Sequence, residues 1–98
     1  SKLRERRDFL VHRIREIEGL TVQEPKGAFY AFPKIELKGI SSDEFCKRLL
    51  WETGVVVPPG SGFGRYGEGH FRIVFLPPKH ILDEALERIG RFVGSLAK

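Results

Sequence analysis

Apolar residues along the chain follow two periods, one of helix and one of strand. Over residues 2–18, Leu3, Leu10, Ile14 and Ile17 recur at helical spacing, and Gly19 is placed to stop the helix. A second helix is predicted over 42–53. Ser41 and Glu44 have the spacing of a capping box, Phe45, Cys46, Leu49 and Leu50 form the apolar face, and Gly54 closes it. A third helix is predicted over 79–96, with Ile81, Leu82, Ala85, Ile89, Phe92, Val93 and Leu96 on its inner stripe. Between these lie a short extended piece at 21–23, a turn at 25–27, an aromatic-rich strand at 28–32 ended by Pro33, and a turn at Gly39. A β-branched strand at 55–57, a loop at 58–69 holding five glycines and a strand at 70–76 broken by Pro77 and Pro78 complete the pattern. The order helix, strand, helix, strand, strand, helix predicts an α+β fold. The expected architecture is a two-layer sandwich in which a small mixed or antiparallel sheet is packed by three helices.

Composition narrows the class. The 98 residues bound a single domain, 1–98, with 41% hydrophobic and 31% charged content, which excludes disordered and membrane classes. No apolar run reaches the length of a membrane span, and residues 1–15 carry too much charge for the apolar stretch of a signal peptide. The initial Ser1 and the lack of Met read as a domain cut from a longer protein. A single cysteine, Cys46, allows no internal disulfide and fits a reducing, cytoplasmic setting. Asn and Met are absent and Lys, Arg and Glu are plentiful, a thermophile-like signature. The net charge of +4 gives mild attraction for anions but no nucleic-acid signature by itself.

Several motif matches weaken in context. Gly62, Gly64 and Gly67 satisfy G-x-G-x-x-G, but a dinucleotide site needs a helix after the glycines, and here a strand is predicted. Tyr30 and Phe32 share one strand face in a stretch that echoes RNA-binding aromatics, yet the echo has one residue too many and the chain opens on a helix. His12, His70 and His80 lack metal spacing, and Cys46 reads as a small core residue. His12 is expected on the surface and His80 in the first turn of the last helix. Asp43 and Glu44 read as helix N-terminal charges rather than an acid–base pair.

Arg72 stands apart. Phe71, Ile73 and Phe75 form one face of its strand, which puts Arg72 on the other face between His70 and Val74. An always-charged planar fork in such a place suits a carboxylate or phosphate. The plainer reading from spacing is a partly exposed arginine paired with a local acid such as Glu68.

Three stretches then align with one family: Gly27-Ala28-Phe29-Tyr30-Ala31-Phe32-Pro33, Val55-Val56-Val57-Pro58-Pro59-Gly60-Ser61-Gly62-Phe63-Gly64, and Gly67-Glu68-Gly69-His70-Phe71-Arg72-Ile73-Val74-Phe75. With Arg6-Arg7-Asp8 in the first helix and Leu86-Glu87-Arg88-Ile89 in the last, nearly the whole chain resembles the C-terminal small domain of a class I/II aminotransferase, a fold-type-I pyridoxal-phosphate enzyme. The resemblance implies a cytoplasmic homodimer that moves an amino group between an amino acid and a 2-oxo acid, with pyridoxal 5'-phosphate held by the large domain of the same chain. It assigns the grip on the substrate α-carboxylate to Arg72 and places Gly27 near the substrate entrance. Gly62 stands where an alanine is frequent in the family. The resemblance also implies that the Schiff-base lysine lies elsewhere, since Lys26, Lys34, Lys38, Lys47 and Lys79 lack its context, so the domain alone is expected to be inactive, with neither cofactor nor catalytic residue. No nucleic-acid or membrane partner is expected. The other reading is a stand-alone α+β module that binds RNA or a small anion.

Overall fold

The computed structural model describes residues 2–25, 29–63 and 67–96. Among the described residues three α-helices are present: α1 (Lys2–Arg15), α2 (Ser42–Thr53) and α3 (Lys79–Leu96). The strands are short: β1 (Leu20–Thr21), β2 (Tyr30–Ala31), β3 (Lys34–Ile35) and β4 (Ile73–Val74).

Each helix boundary has a local cause. The first helix stops at Arg15 rather than at 18, because the chain tightens into three-residue turns, with Ile17 N–H on Ile14 O (3.0 Å) and Leu20 N–H on Ile17 O (3.2 Å). α2 is capped as its sequence predicts. The Ser41 side chain accepts from Glu44 N–H at 3.1 Å, and Gly54 ends the helix in the left-handed region with its N–H on Leu50 O. α3 runs over the expected residues, but its inner stripe differs: Leu86 joins it, fully buried, while Ile81 is 47% exposed.

All pairings among the described strands are antiparallel. β1 pairs with β3 in the register Leu20↔Ile35, and β2 pairs with β4 as Ala31↔Ile73. A single bridge, Lys34↔His70, connects these ladders, and another, Pro59↔Phe71, adds the 58–60 segment. Proline explains the interruptions. Pro33 has no N–H to donate, although its carbonyl accepts from Phe71 N–H at 3.1 Å, so β2 ends before it as expected and pairing resumes beyond it as β3. The strand expected at 55–57 forms no ladder. Pairing shifts onto Pro58 O, which accepts from Arg72 N–H (3.0 Å), and Gly60 N–H, which donates to His70 O (2.7 Å). The loop expected at 58–69 contains a short 3-10 helix, Gly60–Phe63.

The core lies between the helices and one face of this sheet. Phe71, Ile73 and Phe75 are buried from the strand side, and Leu10, Ile14, Phe45, Leu49, Leu86, Ile89 and Val93 meet them from the helices. Phe45 joins the layers, its ring stacked on Phe71 and edge-on to Phe92, each at 5.3 Å between centroids. Burial of a side chain of this size stabilises by about 2–3 kcal/mol. Arg13 bonds Asp83 across α1 and α3, and Arg88 donates to Thr53 O (2.9 Å) from α3 to the end of α2. The architecture is the α+β arrangement of three helices with small antiparallel sheets.

Candidate functional site

Residues 69–75 occupy the middle of the paired region. On one side Ile35 N–H bonds Gly69 O (2.6 Å) and Phe75 N–H bonds Phe29 O (3.0 Å); on the other lies the 58–60 segment. This double attachment fixes the backbone of Arg72. The alternation expected from the sequence holds, with Phe71, Ile73 and Phe75 turned to the core while His70 and Arg72 are half-buried and Val74 is exposed.

The Arg72 guanidinium carbon lies 5.2 Å from the centroid of the Tyr30 ring. A cation over an aromatic face is attracted by the ring quadrupole, and the contact restricts the plane of the fork. Nε is sealed from solvent without a hydrogen bond, while the rest of the group engages its surroundings. Arg72 also lines an apolar cleft of about 170 Å³ with Val56, Val74, Pro77 and Ile81. Tyr30 lines a larger concavity of about 580 Å³ with Phe32, Lys34 and His70.

The local pairing of Arg72 with Glu68 does not form. Glu68 turns to α2, where its Oε2 accepts from Ser42 N–H (3.1 Å), Ser42 Oγ and Gly69 N–H (2.9 Å). These bonds, the Ser42 hydroxyl first, hold the Glu68 carboxyl below its ordinary pKa.

Tyr30 and Phe32 do share the outer sheet face. Phe32, however, is stacked on His70 at 5.0 Å between centroids and 12° between planes, so one ring face is already covered. His12 is on the surface beside Glu16 (3.6 Å), and His80 is exposed in the first turn of α3. Among the described residues no group of three metal-ligating side chains occurs. Cys46 is buried, and that burial, with Asp43 nearby, pushes its thiol up to about 12. Each described lysine is exposed, and Lys34 is paired with Glu36 at 3.5 Å. A Schiff-base lysine needs a desolvated or cationic setting that lowers its pKa, so the described residues do not fit covalent attachment of a pyridoxal cofactor. Gly27, with Lys26 and Ala28, and Gly64 lie outside the described residues. No described helix is long and apolar enough to cross a membrane.

Fold and site together define an α+β unit that presents a strand-mounted guanidinium, that of Arg72, on the sheet face away from its core. The sequence model of aminotransferase class I and II matches residues 1–89, and the chain belongs to that family. It is 49% identical over 87 residues to an aspartate aminotransferase of Pyrococcus horikoshii, covering 89% of this chain and 22% of that protein. It is 37% identical over 92 residues to an LL-diaminopimelate aminotransferase of Moorella thermoacetica, covering 94% of this chain and 23% of that protein. The solved alanine aminotransferase from Pyrococcus furiosus superposes with a TM-score of 0.93 at 48% identity, over 96% of this chain and 24% of that one. The chain thus spans about a quarter of the length of these relatives.

Proposed function

We propose that the chain is the C-terminal small domain, 1–98, of a pyridoxal-phosphate-dependent aminotransferase, and that Arg72 binds the α-carboxylate shared by the amino acid and 2-oxo acid substrates. The observation that carries this reading is the mounting of Arg72. Its backbone is bonded to Pro58, its strand neighbours are anchored in the core, and its guanidinium lies over Tyr30 on the opposite face. A guanidinium so mounted offers a carboxylate two parallel N–H···O bonds, which set its orientation as well as its position. Fixing the carboxylate fixes the direction of the substrate Cα–H bond, so that proton removal starts from an aligned geometry. The cofactor, when bound, supplies the sink for the electrons of that bond.

The lysine and the phosphate-binding groups belong, on this reading, to a large domain of the same longer protein, which is cytoplasmic and homodimeric. The same family resemblance assigns Gly27 a part in substrate binding. The names of the relatives include aspartate, alanine and LL-diaminopimelate, compounds that differ in side chain and share the α-carboxylate that Arg72 would bind. The test is steady-state kinetics of Arg72→Ala in the full-length enzyme, where kcat/KM is expected to fall for every amino-acid substrate; an unchanged value would refute the assignment. The isolated chain mixed with pyridoxal phosphate is expected to give no stoichiometric absorbance band, and the appearance of one would overturn the placement of the lysine outside it.

A further inference from the structure

The loop that leads into the Arg72 strand is fastened at both ends to one place, the start of α2. At one end Ser61 Oγ donates to Asp43 Oδ1 at 2.5 Å. At the other, Glu68 Oε2 takes the bonds from Ser42 N–H, Ser42 Oγ and Gly69 N–H. Ser42 is the first residue of α2 and is fully buried, so the anchor itself is part of the core. A carboxylate at a helix N-terminus is further held by the partial positive charge there. Directly after Glu68 come the backbone bonds that set the register of the strand: Ile35 N–H to Gly69 O (2.6 Å) and Gly60 N–H to His70 O (2.7 Å). Arg72 follows two residues beyond His70, and a slip of one residue would turn it to the core face.

We infer that Glu68 is a positioning residue for Arg72: by tying the turn before the strand to the N-terminus of α2, its carboxylate sets where the guanidinium stands. It touches no substrate and acts through the strand. This inference rests on the reading of Arg72 as the carboxylate-binding residue. The bonding partners of Glu68 do not include Arg72, which separates the role from that of a counter-ion.

The test is a double-mutant cycle in the full-length enzyme, read as KM and kcat for an amino-acid substrate. Glu68→Ala is expected to raise KM about tenfold, with any fall in kcat accompanying that rise. Ser42→Ala removes one of the three donors and is expected to raise KM by about two- to threefold. In an Arg72→Ala background, Glu68→Ala is expected to add nothing. An equal KM effect in both backgrounds, or a loss of kcat at constant KM, would overturn the positioning role while leaving the reading of Arg72 intact. An Arg72→Ala enzyme with unchanged kcat/KM would bring down both. If Glu68→Ala does not fold, Glu68→Gln, which keeps an acceptor oxygen but no charge, is run through the same cycle with the same criteria.

Discussion

Gly60 and Gly67 meet backbone to backbone: a Cβ on either would collide with the carbonyl oxygen of the other. The contact closes the mouth of the loop that carries Ser61, and it lies beside the strand on which Arg72 is mounted. No flexible side chain can yield at this point, because both obstacles are main chain. Gly60→Ala and Gly67→Ala are each expected to destabilise the fold by about 3 kcal/mol, as overpacking of a closed interior does. Gly62, inside the same loop, has open space where a methyl group would stand and no left-handed backbone, so Gly62→Ala is expected to be neutral within about 0.5 kcal/mol. Denaturant midpoints of the three variants check the contrast.

Gly54 is required for a different reason. Its φ of +79° ends α2, while the nearest obstacle to a Cβ is the Arg88 Nη1 atom at 3.9 Å. Space is available, and only the conformation is strained. Gly54→Ala is expected to cost about 1 kcal/mol, roughly a third of the effect at Gly60, measured in the same unfolding experiment.

Burial of Cys46 raises its thiol from the ordinary 9.0 to about 12. In the unfolded chain the thiol ionises near its ordinary value, so stability from keeping it neutral is complete below about 9 and is lost as pH rises toward 12. At neutral pH the folded protein is expected to resist a thiol reagent such as DTNB, and labelling is expected to track unfolding in denaturant. Prompt labelling of the native protein would contradict the buried position.

The Glu68 carboxyl is shifted the other way, held down by the bonds from Ser42 and Gly69. Its contribution is therefore present above the ordinary carboxylate range and is lost as pH falls through the lowered value. The tie to α2 is expected to persist at mildly acidic pH and to release only in stronger acid. Carboxyl carbon NMR of Glu68 against pH reads this directly, with Ser42→Ala expected to move the midpoint back toward the ordinary value.

Arg72→Lys discriminates geometry from charge. An ammonium keeps the charge but cannot form two parallel bonds to one carboxylate. In the full-length enzyme Arg72→Ala is expected to cost about 2–5 kcal/mol of substrate binding, and lysine is expected to recover only a minor part. Full recovery by lysine would show that charge alone suffices.

The sequence by itself settled much of this protein. Ser41, Glu44 and Gly54 delimit α2 because caps act within a few residues, and the alternation of Phe71, Ile73 and Phe75 with Arg72 assigns sheet faces because strand geometry repeats every two residues. The family was legible in the three motif stretches, and the match over residues 1–89 agrees with it. Tertiary structure alone decided the rest. Glu68 lies near Arg72 in sequence yet bonds Ser42, 26 residues away, because the buried helix N-terminus offers its carboxylate two donors, the Ser42 N–H and hydroxyl, beside the adjacent Gly69 N–H. The segment at 55–57 forms no ladder because the backbone of 70–72 meets the chain further on, at Pro58 O and Gly60 N–H, a meeting that only the folded chain sets. Local rules fix what a residue prefers; which of several preferences is met depends on partners brought close only by the folded chain.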